Sequence, residues 1–335
     1  MTTKQLQNIS TPYFDSLFDD FCIWQHADGT KPIISEGYAL DDATRGLILC
    51  LALEKLDKAK ILFDYIMKSK KGKTYFGLAT NKRKFIGAPA SEDAVGQVLW
   101  SFGYSVNQGY REQEAHESLE AIIPDVLGME SLRGSIYALL GAIYVDEILA
   151  RILVEKLMKR FDKLDDTWFW PETVITYGNG IVPYAFLRYA MIFNDKKAGK
   201  LGRKILKFLE YCCTNNRIRG PIGNDGWFAK GDLAPATYKQ QPIDSAYMVW
   251  AWLSAYQLSN KPTDLKNTEA WMQWFEGKNI TGRKMYDEKT LKAFNGIDMV
   301  GHKESDEFGV NYHSGAETNI CFLLSRWMLE TKRTV

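Results

Sequence analysis

The chain alternates, six times over, between two kinds of helical segment, and few architectures accept that pattern. One kind is apolar nearly all round, rich in Gly and Ala, and opens on a polar cluster: Asp41 to Leu53, Ser91 to Phe102, Ser131 to Tyr144, Gly180 to Ile192, Gln241 to Tyr256 and Ser314 to Leu329. The other is amphipathic and charged: Lys55 to Lys68, Glu112 to Val126, Asp146 to Phe161, Lys196 to Cys213 and Asp264 to Phe275, with a helix from Pro12 through Trp24 as the sixth. A helix apolar on every face must be buried on every face, whereas one with a single stripe covers that stripe and leaves the rest wet. Six of each predict an all-α fold, an (α/α)6 toroid of inner and outer helices, in one domain over residues 1–335. The polar residues 1–10 are expected to be disordered. Strand signals are scarce, and the basic stretch Lys70 to Lys84 reads as an exposed loop.

Parallel inner helices would gather their N-terminal ends at one mouth, and the polar clusters stand at those ends. Asp41 and Asp42 follow Gly37, Tyr38, Ala39 and Leu40 and precede Arg45. An Asp can accept from the free amides of a first turn, so Asp41 is read as the cap and Asp42 as the spare carboxylate. Ser91 with Asp93 reads as capping. Glu172 follows Trp168, Phe169, Trp170 and Pro171; an acid against large rings is desolvated and becomes a proton donor. Glu317, among Ser314, Gly315, Ala316 and Thr318, needs a partner such as His313 or Arg45 if buried. Because helix N-termini attract acids in any case, capping remains the alternative for each carboxylate. The loops that carry Asn224, Asp225, Gly226 and Trp227, then Gln240 and Gln241, combine amides with rings, which suits hydroxyl-rich ligands.

Composition removes other classes. With 42 basic and 41 acidic residues there is no electrostatic footprint for nucleic acid or an anionic membrane. No signal-peptide pattern and no bilayer-length apolar run are seen, so the expected location is the cytoplasm. Cys22, Cys50, Cys212, Cys213 and Cys321 lack metal-ligand spacing and read as reduced, buried thiols. Neither the nucleotide-binding glycine patterns nor a Gly-x-Ser-x-Gly elbow occurs, and His26, His116, His302 and His313 lack zinc spacing, so no cofactor and no metal are expected. Ten Trp residues are many for core filling alone, and some are expected to line a groove.

His26; Gly37 to Asp42 with Arg45; Trp168 to Glu172 with Thr176, Tyr177 and Asn179; Pro221 to Asn224 with Trp227; Gln240 to Pro242; and Gly315 to Glu317 together resemble a bacterial (α/α)6-barrel, glycosidase-like family. That family is often encoded near, or fused to, family 4 glycosyltransferases. The resemblance runs from His26 to Leu324. Where the family pattern reads Tyr-Asp-Asn-Ala this chain has Tyr177, Gly178, Asn179 and Gly180, and Asp244 stands where Glu is usual.

The resulting expectation is a glycoside hydrolase acting on an oligosaccharide through Asp42, Glu172 and Glu317. Trp24, Tyr38, Trp168, Trp170 and Trp227 are expected to stack on sugar rings, and His26, Asp41, Arg45, Tyr177, Asn224, Gln241 and His313 to line the site. A glycosyltransferase is the expected functional neighbour. Two other readings stay open: a glycan-binding or regulatory module without turnover, and a sugar epimerase that shuttles protons through His26 and His313.

Overall fold

The structure, a computed structural model, describes residues 11–215, 218–299 and 308–335. Residues 1–10, expected to be disordered, and His302 lie outside that set. The chain is mostly helical and forms two compact units. The first comprises residues 1–157 with Gly315–Ile320, and the second Met158–Ser314 with Cys321–Thr334.

The first unit holds α1 (Pro12–Ser16), α2 (Leu40–Ala52), α3 (Leu56–Lys68), α4 (Glu92–Asn107), α5 (Glu112–Glu120), α6 (Ile123–Gly128), α7 (Leu132–Val145) and α8 (Glu147–Lys159, to Leu157). The second holds α9 (Ile181–Phe193), α10 (Lys196–Cys212), α11 (Pro242–Ser259) and α12 (Pro262–Met272). The last helix, α13 (Ala316–Thr331), gives its first residues to the first unit and the remainder to the second. Eleven of the twelve expected helical segments are therefore helical, within a few residues at their ends and with the charged segment at Glu112 divided into α5 and α6.

Burial follows the two kinds of helix. In α2, α4 and α7 nearly every side chain is buried, while α3 buries only Ala59, Leu62, Phe63, Tyr65 and Ile66. Helices α4 and α7 lie side by side in the same direction, because Gly96 faces Gly134 and Gly103 faces Gly141. A Cβ on Gly103 would sit 2.4 Å from the Gly141 carbonyl oxygen, and one on Gly141 would sit 2.2 Å from that of Leu99. No side chain fits that seam. Helix α2 is parallel to its neighbours too: Arg45 reaches Glu317 at the start of α13, and Thr44 reaches Gln97 on α4. In this unit the N-terminal ends of α2, α4, α7 and α13 thus share one side.

Three expectations change here. The first helix stops at Ser16 instead of running through Trp24, because Asp19 Oδ1 accepts from the Phe21 and Cys22 amides and turns the chain. Lys70 to Lys84 is no open loop: Thr74–Ala79 forms an antiparallel strand against Lys70–Lys71, Phe85–Pro89 and Tyr38–Ala39. Its strand signal is hidden by turn residues, with Gly72 at φ 61° and Arg83 at φ 60°. Finally, Asp41 does not cap α2. The cap position is Ala39, which has no side-chain bond to the helix and belongs to the strand pair Ala39↔Leu78. That pairing starts the helix at Leu40 and moves both aspartates inside the first turn. Just before it, Gly37 takes φ 70°, and a Cβ there would meet the Ala79 carbonyl oxygen at 2.2 Å.

Candidate active site

In the first unit four charged side chains meet. Arg45, only 2% exposed, donates through one nitrogen, Nη2, to three carboxylates: Asp41 Oδ2 at 3.1 Å, Asp42 Oδ1 at 3.2 Å and Glu317 Oε2 at 2.8 Å. Oxygens of the three acids lie within 4.8 Å of one another. One guanidinium facing three acids leaves an excess of negative charge if all three ionise, in a site where water cannot screen it well. The protonation equilibria respond accordingly. Burial, reinforced by the charge of Asp41, lifts Asp42 well above the ordinary carboxylate range, with Arg45 opposing. Burial also raises Glu317, again against the pull of Arg45.

Exposure separates the acids. The Asp42 side chain is 5% exposed, whereas those of Asp41 and Glu317 are 41% and 37% exposed. Asp41 and Glu317 are the two a ligand can reach, and Asp42 lies beneath them. Asp41, expected as the support, is thus the more exposed of the pair, and Asp42, expected to touch substrate, is the buried one. This is also the acidic group, among the described residues, whose spacing would let it share a cation; here the guanidinium takes that position.

Among the neighbours, His26, Trp24 and Tyr38 are expected residues, and Gln97 and Thr44 are new. Gln97, buried on α4, accepts from Arg45 Nη1 at 3.4 Å and lies 3.2 Å from the Thr44 hydroxyl, holding the guanidinium plane. A Gln in an apolar helix 52 residues from Arg45 gives no local signal. His26 begins the strand His26–Asp28, and its charge lowers Glu317. It sits close to α13 because residue 315 is Gly: a Cβ there would be 3.2 Å from His26 Nδ1. Trp24 and Tyr38 stack on each other with centroids 4.2 Å apart. Tyr38 is fully buried and its hydroxyl donates to Asp19 at 2.6 Å, so its ring is core and offers no face to a sugar.

The second unit holds the remaining expected residues. Glu172 gathers its preceding rings: the Trp168 indole donates to its backbone oxygen at 2.8 Å and the Trp170 indole to Oε2 at 3.2 Å. Trp168 and Trp170 are 6% and 1% exposed, and Trp170 in particular is packing, not a sugar platform. Tyr177, 44% exposed, and the half-buried Trp227 lie 6.3 Å apart and keep ring surface available. Asn224 sits half-buried in the turn that follows Gly223. The Asn179 backbone N–H donates to Asp244 Oδ1 at 3.3 Å, at the first turn of α11, and its side-chain amide donates to the Thr176 carbonyl at 2.8 Å. Gln241 is half-buried at the cap position of α11, without a cap bond, while Gln240 beside it is buried. His313 is exposed, its backbone N–H donating to Asn311 at 3.1 Å.

No family model matches this chain, and no curated protein matches it either. Solved structures do. A D-mannose isomerase is 11% identical over 98% of both chains with a TM-score of 0.71. The cellobiose 2-epimerase of Bacillus thermoamylovorans is 11% identical over 97% of both chains with a TM-score of 0.70. An α-1,6-mannanase of Salegentibacter, inactive through the change of two aspartates to asparagine and solved with α-1,6-mannotriose, is 10% identical over 98% of both chains with a TM-score of 0.64. Identities this low establish a shared fold. No helix among the described residues is long and apolar enough to cross a membrane.

Proposed function

We propose that this chain is a single-domain (α/α)6-barrel glycoside hydrolase acting on an oligosaccharide. The observation that carries the reading is the Arg45 cluster: two accessible carboxylates, Asp41 and Glu317, over a buried third. Glu317, raised by its burial, is the proton donor to the leaving oxygen, and Asp41 is the nucleophile at the anomeric carbon. The charge of Asp41 adds to the rise of Glu317 and so favours its protonated form, while Asp42 lies beneath the two. Carboxyl groups ~5–5.5 Å apart go with retention of anomeric configuration and ~6.5–9.5 Å with inversion; oxygens within 4.8 Å support retention. Loss of activity in a mannanase of this fold on replacing two aspartates supports a role for such acids, though not by position. Glu172, Tyr177 and Trp227 are proposed to contact the sugar. The family resemblance further suggests that the substrate is made by a neighbouring glycosyltransferase.

The test is a panel of manno- and gluco-oligosaccharides with product detection by NMR. Turnover with retained configuration, reduced ~10²–10⁴-fold in Glu317→Gln and Asp41→Asn, is expected. Full activity in both variants overturns the assignment, and binding without any product points to the glycan-binding module. Sugar epimerisation is the second reading, favoured by His26 beside Glu317 and by the isomerase and epimerase among the similar structures. It requires solvent deuterium in the sugar, lost in His26→Ala.

A further inference from the structure

A cavity of about 270 Å³ opens in the second unit, apart from the carboxylate cluster. Its walls include Cys212, Cys213, Pro221, Pro235, Ala236 and Ile280, and among the described residues no charged side chain lines it. Burial raises both thiols, Cys212 to about 12, so both stay uncharged at neutral pH.

Three polar side chains line this space, Asn215, Thr237 and Gln240, and of these Gln240 is the buried one. Gln240 lines the cavity and is 3% exposed. Its Oε1 accepts from the Trp274 indole at 3.1 Å. An indole N–H can only donate, which fixes the amide with its oxygen toward Trp274 and its NH₂ group away from it. That nitrogen has no partner among the described residues. It lies beside Gly220, another wall residue, where an added Cβ would be 3.0 Å from Nε2. The backbone of Gln240 is held as well, exchanging hydrogen bonds with Ile297 at 3.0 Å in both directions. The NH₂ group is thus free to donate to a ligand oxygen that enters the cavity.

We propose that this cavity is a binding site for an acetamido group, its carbonyl accepting from Gln240 Nε2 and its methyl packed against the proline and cysteine walls. The volume falls just below the ~300–1,000 Å³ of pockets for larger ligands, as expected for a fragment and not a whole chain. Placing that group on an N-acetylated sugar rests on the carbohydrate reading above; the cavity itself does not.

The experiment is saturation-transfer NMR on the full chain with N-acetylglucosamine, glucosamine, glucose and N-methylacetamide. N-acetylglucosamine should bind with its methyl protons most strongly saturated, and glucose and glucosamine should give at least tenfold weaker signal. Gly220→Ala, which puts a methyl 3.0 Å from Nε2 and 3.2 Å from Oε1 of Gln240, should abolish the effect; circular dichroism shows that the variant is folded. Gln240→Met should weaken it at least tenfold. Binding of N-methylacetamide but not of N-acetylglucosamine upholds the cavity and counts against the carbohydrate reading. Equal binding of acetylated and plain sugars, or binding unchanged in folded Gly220→Ala, overturns the proposal. Turnover plays no part in the readout, so an inactive chain still decides it.

Discussion

Two carboxylate hubs, one in each unit, are built on opposite principles. Glu210 is one acid among many donors: Oε2 accepts from the Trp252 and Trp271 indoles at 2.9 and 2.6 Å, and Oε1 from Arg219 at 2.6 Å. It ties α10 to α11, α12 and the strand Ile218–Arg219. The Arg45 hub reverses the ratio, with three acids on one terminal nitrogen. A carboxylate with donors on both oxygens works as a brace. Carboxylates competing for one cation must hold protons, and a held proton is what acid catalysis needs.

The contrast can be broken in measurable ways. Arg45→Met leaves three acids without their cation and should lower unfolding free energy in urea by about 3–5 kcal/mol at pH 7. The deficit should shrink as pH falls and the acids become neutral. Glu210→Gln swaps one acceptor for a donor amid three donors and should cost about 1.5–3 kcal/mol, because bonds to a charged group are the ones lost. A cost below about 0.5 kcal/mol would mean that Glu210 is no brace. Asp42→Asn should do the reverse and add about 1 kcal/mol near neutral pH, since it relieves a crowded site. Destabilisation by Asp42→Asn would show instead that the charge is structural.

The smallest effect is in the pH profile. Asp42 and Glu317 bind protons more tightly when folded than their ordinary values of 3.8 and 4.5. Their contribution to stability is therefore complete below about 3.8 and declines as pH rises through the raised values. Subtracting the profile of an Asp42→Asn, Glu317→Gln double variant isolates it; a difference that grows toward acid supports the shifts, and a flat one refutes them.

The helical frame was legible because burial on all faces and burial on one face leave different apolar patterns. What failed was local. The strand pairing of Ala39 with Leu78 decided where α2 begins, and the Asp-Asp sequence by itself points to a cap. Trp170 and Tyr38 were expected at a groove, yet a ring does not declare which neighbours cover it. Of two adjacent glutamines, Gln241 was chosen and Gln240 proved to face Trp274, a choice that depends on a strand bridge to Ile297. Asp42 and Glu317 were singled out by type, but their common dependence on Arg45 belongs to the folded chain.

That dependence also sets an order of events during synthesis. Glu317 follows Arg45 by 272 residues. At ~5–20 residues per second, roughly 15–55 s separate the two on the ribosome. For that interval α2 exists with its aspartates and arginine but without the proposed proton donor. A nascent chain can thus fold much of its first unit while it remains chemically silent, and the site becomes competent only when the start of α13 arrives.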